Sequence, residues 1–179
     1  MFKKIIIISV IAFATTLSTA FAQHEHHQHE KEQKKHSEHK MPMKTMPEFK
    51  QKELGKAYMH YLHLKSALVA SDDKEAGKSA KMLVAALNDI KKMDAVYKDA
   101  VTVAAASDLA ARRKAFAVLS LSMAGKIKGT LESGEIYVAF CPMANKNQGA
   151  YWLSGEKEIK NPYFGDKMLK CGSVKDVIK

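Results

Sequence analysis

Cysteine is scarce in this chain: there are two in 179 residues, Cys141 and Cys171. They lie about 30 residues apart, which is not the C-x-x-C spacing of a thioredoxin-like redox site. No nucleophile elbow, no histidine–carboxylate pairing and no phosphate loop is present, so a hydrolase or oxidoreductase would lack its chemical parts. Acidic side chains are also few, 19 against 29 Lys and Arg, and the formal net charge is +10. In a cytosolic protein that balance suggests nucleic acid. In an exported one it points to acidic surfaces, anionic lipid or an acidic partner.

Export is what the N-terminus predicts. Lys3 and Lys4 make a charged start, Ile5 to Phe13 and beyond form an apolar run, and Ala20-Phe21-Ala22 is a small-residue cleavage site. Thr15, Thr16, Ser18 and Thr19 interrupt the run, which is too short for a retained anchor. Residues 1–22 therefore read as a signal peptide, with no stable membrane span after its removal. No cysteine follows the site, which argues against a lipid-anchored lipoprotein. The mature chain is expected to begin at Gln23 and to be periplasmic or otherwise exported. About 157 residues then remain (179 minus 22), enough for one domain and a tail. The charge falls to about +8 without Lys3 and Lys4, and nucleic acid is not an expected partner.

Residues 23–47 are low in complexity and have almost no apolar side chains besides Met, so they are expected to be disordered. The segment holds six of the eight histidines: His24, His26, His27, His29, His36 and His39. Short His-rich tracts read as metal-binding, with a solvated spacer as the alternative. Met41, Met43 and Met46 follow at M-x-M-x-x-M spacing. Three thioethers on a flexible chain can wrap one Cu(I), a soft ion that accepts few ligands. Met46 packing against the first helix is the other possibility for that residue.

From residue 48 the pattern turns helical. Leu54, Tyr58, Tyr61, Leu62, Leu68 and Val69 recur at helical spacing over about residues 48–70. Asp72 and Glu75 can cap a second helix whose buried face is Ala76, Ala80, Leu83, Val84, Leu87 and Ile90. Residues 93–106 form a third helix or a broken continuation. Ser107 or Asp108 then caps another, with Leu109, Phe116, Leu119, Met123 and Ile127 facing inward. The expected fold is mainly α: an antiparallel three- or four-helix bundle with an irregular C-terminal cysteine-containing segment. Residues 48–179 would be one helical metal-binding domain. His60 and His63 are close enough on the first helix to share a metal, yet the wheel puts His63 nearly opposite the apolar stripe and His60 at its flank, as in a solvated face.

Residues 136–172 hold both cysteines, each with a methionine nearby: Cys141-Pro142-Met143 opens the stretch and Met168-Leu169-Lys170-Cys171 closes it. Residues 136–140 read as a short strand, Asn161-Pro162-Tyr163-Phe164-Gly165 as a tight turn and 173–179 as a last helical turn. Two thiols and two thioethers are soft donors that favour Cu(I) over hard cations. Zinc takes thioethers poorly and would recruit histidine. Trp152 could cover a bound cation with its ring face, or pack in a small aromatic cluster with Tyr137, Phe140, Tyr163 and Phe164. The rival to metal is a Cys141–Cys171 disulfide, since exported cysteines usually pair; it would close a loop worth roughly 3–4 kcal/mol. Both hold if the pair cycles between states.

The elements C-P-M-A, W-L-S, I-x-N-P-Y and M-L-x-C-G, in that order, together with YLHLKSALVASD and RKAFAVLS, resemble a family of exported domains of unknown function. Such domains occur alone or fused to the end of CusB-type periplasmic adaptor subunits of heavy-metal efflux pumps. The resemblance runs from Leu54 to Val174. It implies a helical domain, heavy-metal efflux components as partners, copper as Cu(I) for the metal, and Cys141, Met143, Met168 and Cys171 as the ligand set. The chain departs from the family in a shorter link between the second and later helices and in its His/Met tail.

Overall fold

The structure, a computed structural model, describes residues 46–179. The expected signal peptide, the six histidines of residues 23–47, Met41 and Met43 lie outside the described residues; Met46 lies inside, half-buried against the core. The described residues are about 54% helical, as expected, but they also form two small antiparallel sheets.

Four helices follow one another: α1 (Lys52–Val69), α2 (Asp73–Leu87), α3 (Asp94–Ala105) and α4 (Leu109–Ile127). Each packs on the next. Their starts follow from side-chain chemistry. The Asp72 carboxylate accepts the Glu75 amide at 2.9 Å and the Asp108 carboxylate accepts the Ala111 amide at 2.8 Å, each satisfying a donor that the first turn leaves free. Arg112, buried on α4, donates to the Val103 and Ala106 carbonyls and, at 2.8 Å, to the Asp73 carboxylate. It thereby fastens α4 to the end of α3 and the start of α2.

The first helix begins later than its apolar pattern suggests. Glu48–Phe49 is instead a short strand, β1, paired with β2 (Leu131–Ser133). Pro47 has no N–H and is buried beside Gly134, while the Lys50 amide donates to the Thr130 carbonyl at 3.0 Å. Those backbone groups are satisfied across the chain rather than along a helix.

The C-terminal segment is not irregular, and its last residues are not helical. Strands β3 (Ile136–Cys141), β4 (Ala150–Ser154) and β5 (Ser173–Ile178) form an antiparallel sheet in the order β4-β3-β5. β5 is held by long-range pairing, with Ile178 opposite Ile136 and both buried, and a register shift interrupts it beside Val138 and Ala139. That shift breaks the strict alternation by which a strand is read from sequence. Gly172 admits the chain into β5: at φ +135° it takes a conformation closed to other residues, and a Cβ there would meet the Phe140 carbonyl and the Trp152 ring at 2.8 Å.

The sheet and the helices share one core. A chain of rings crosses it: Phe49, Tyr58, Tyr61, Phe116, Tyr163 and Trp152, with neighbouring centroids 5.1–6.1 Å apart. Tyr61 joins three elements, since its hydroxyl accepts the Leu153 amide of β4 at 3.0 Å and bonds Ser120 of α4 at 2.7 Å. Among the described residues no helix is long and apolar enough to cross a membrane.

Candidate metal centre

Cys141 is the last residue of β3, on the strand's buried side, and is fully enclosed. Cys171 stands just before β5 and is partly exposed. Antiparallel pairing of β5 with β3 brings these distant residues side by side, and their sulfurs lie 3.1 Å apart as two free thiols. That separation falls between two covalent outcomes. A disulfide needs about 2.05 Å. A metal bridging two thiolates at about 2.3 Å per bond needs roughly 3.7 Å or more. The disulfide is reached by about an ångström of approach and the metal bridge by about 0.6–1.5 Å of separation, according to the angle at the metal.

The thiol pair is held from behind by Asn161, which is fully buried. Its side-chain amide donates to the Cys171 carbonyl at 2.8 Å and its side-chain oxygen accepts the Tyr163 amide at 2.8 Å. Its backbone accepts from Gly165 and donates to the Leu169 carbonyl. Arg113 anchors the same loop to the helices: it donates to the Pro162 carbonyl at 2.8 Å, to the Leu68 carbonyl at 2.8 Å and to Ser71 Oγ at 2.9 Å. Neither residue was singled out in the sequence as part of the site. The I-x-N-P-Y element was the available signal for Asn161, and Arg113 opens the RKAFAVLS element, though nothing in that element tied it to the cysteine segment.

On the other side, Cys141 leads into an exposed turn. Pro142 and Met143 protrude, Met143 being 49% exposed. The one-turn helix α5 (Ala144–Asn147) then carries three successive non-glycine residues in the left-handed region, Asn145, Lys146 and Asn147, at φ 52°, 57° and 64°. Such residues cost of order 1 kcal/mol each and collect where structure is over-determined for function. Gly149 closes the turn at φ +78°, where the Phe140 ring, tilted against Tyr151 with centroids 4.5 Å apart, fills the place of a Cβ.

Met168 ends the 3₁₀ turn Gly165–Met168, half-buried, and its carbonyl accepts the Cys171 amide at 3.0 Å. The structure thus brings the two thiols together directly. It sets Met143 on the exposed turn after one and Met168 on the turn before the other. Trp152 is buried, edge-on to Tyr163 at 6.0 Å and packed on the backbone of Gly172; Phe140 belongs to a separate pair with Tyr151.

The Cys171 thiol is pushed above its ordinary pKa, first by its hydrogen bond with Cys141, then by burial and by Cys141's charge. At neutral pH it therefore keeps its proton, and a metal that binds must displace it. Among the described residues no three His, Cys, Asp or Glu side chains converge. The donors at hand are two thiols with thioethers in the flanking turns, a set that fits a soft monovalent ion of low coordination number better than zinc, which asks for four ligands.

Comparison with known proteins bears on the helical part. No curated protein and no solved structure matches the chain. Residues 57–133, from within α1 to the end of β2, match the family described as Protein of unknown function (DUF3347), and this likeness stops short of Cys141.

Proposed function

We propose that this is an exported, soluble, non-catalytic heavy-metal-binding protein that buffers or delivers Cu(I) in the cell envelope and passes it to heavy-metal efflux components. One observation carries the reading: the pairing of β5 with β3 and the buried Asn161 hold two thiols 3.1 Å apart at the edge of the surface. The signal-peptide pattern, the His/Met tail and the resemblance of the cysteine segment to domains attached to efflux adaptors support it. Cys141 and Cys171 grip the ion, and the thioethers of Met143 and Met168 are the donors through which it exchanges. Sulfur-to-sulfur exchange lets a soft ion move on without ever being free.

Mass spectrometry of the reduced mature protein with Cu(I) tests this. One ion per chain is expected at the pair, lost in Cys141→Ser and weakened in Met168→Leu. Unchanged stoichiometry in both variants would remove the site.

The same 3.1 Å separation, in an oxidising compartment, favours a second reading: a disulfide-stapled module that docks to another envelope protein without metal. Free-thiol counting on protein isolated without reductant, with metal analysis of the same sample, separates the two. Two thiols with copper support the first reading; no thiols and no copper support the second.

A further inference from the structure

Midway along α1 the structure holds a second group of metal-ligating side chains, independent of the cysteines. His60 and His63 are one helical turn apart, and their rings meet edge to face with centroids 6.2 Å apart. Two imidazoles bound to one ion through bonds of about 2.0 Å have centroids roughly 4.5–6.4 Å apart, depending on the angle at the metal, so little rearrangement is needed. Met59, 39% exposed, precedes His63 by one turn and adds a soft donor to the same patch.

A solvated helix face explains His63, which is exposed, but not His60. The Nδ1 atom of His60 is shut off from solvent and has no hydrogen-bond partner among the described residues. A buried ring nitrogen normally finds a partner, because leaving it without one costs stability. No existing hydrogen bond at that atom has to be broken for the ring to ligate an ion.

We propose that His60 and His63 together bind one borderline divalent transition-metal ion, Cu(II) most tightly. Imidazole suits Cu, Ni and Zn and not Mg or Ca, and Cu(II) leads the affinity order at nitrogen sites. With two protein nitrogens, the remaining positions go to water, which makes this an open site from which an ion can be handed on.

The test uses the mature full-length chain with Cys141→Ser, Cys171→Ser and all six tail histidines changed to glutamine, so that no other proposed site contributes. Titration with Cu(II), followed by calorimetry and electron paramagnetic resonance, is expected to show one ion ligated by two nitrogens. Adding His63→Gln or His60→Gln should weaken binding at least about tenfold, since changes merely adjacent to a ligand already cost that much. His63 is exposed, so its replacement leaves the fold intact, as far-UV circular dichroism will report. No bound Cu(II) in the parent, or binding that neither replacement alters, would overturn the proposal. Because the cysteines are absent from this protein, the result is separate from the fate of the thiol site.

Discussion

At the scale of single residues, two buried polar side chains carry more than their size suggests. Asn161 bonds both ends of the loop that delivers Cys171, and truncation strands the Cys171 carbonyl and the Tyr163 amide in the interior. Each unsatisfied group costs about 1–3 kcal/mol, so Asn161→Ala should lower unfolding stability by about 2–4 kcal/mol in a urea titration. Cys171 should also react faster with a thiol reagent in the variant. Lys65 is the second case, on α1 with 6% exposure and, among the described residues, one long hydrogen bond, 3.4 Å to Ser154 Oγ. Burial takes its pKa down to about 8, against a partly opposing pull from Glu156. In the unfolded chain a lysine titrates near 10.4, so between about pH 8 and 10 the unfolded state binds more protons and the folded state gains stability as pH rises. Relative to Lys65→Met, the wild-type protein should gain about 2 kcal/mol over that window in urea unfolding series. A difference that stays flat with pH would refute the assignment.

At the scale of elements, the left-handed turn after Met143 is the most strained piece described. Lys146, at φ 57° and ψ 47°, has no local side-chain reason to be there, unlike the two asparagines around it. Lys146→Gly should therefore stabilise the protein by up to about 1 kcal/mol, and Lys146→Val should destabilise it by at least as much, read from thermal unfolding. Helices α1, α2 and α4 were legible in the sequence because each has an apolar stripe and, for α2 and α4, an aspartate cap: Leu83 and Leu87, or Phe116, Leu119, Met123 and Ile127, are buried where the period puts them, whereas α3 buries just Val96, Ala100 and Val103 and read equally as a broken continuation. The strands were less so. β1 is two residues long and exists only because β2 lies beside it, and β5 shows two mid-strand charges, Lys175 and Asp176, and no clean alternation. Their stability comes from partners distant along the chain, which a local pattern does not contain. The meeting of Cys141 and Cys171 depends on β5 in the same way. The sequence offered the two cysteines and their flanking methionines, but the pairing that sets the sulfurs together was not written locally.

At the scale of the whole molecule, helices and sheet are built on one core, and the row of aromatic rings runs through it from Phe49 beside β2 to Trp152, whose ring lies against Gly172, the residue after Cys171. Trp152 is the sole tryptophan of the chain and is 1% exposed. The protein consequently carries its own optical gauge at the place of interest. Its emission should be blue-shifted, as for an indole out of water, and should dim when Cu(I) is added to the reduced chain but not to Cys141→Ser. An indole packed on the residue next to Cys171 turns the loading of a colourless ion into a light signal that needs no label.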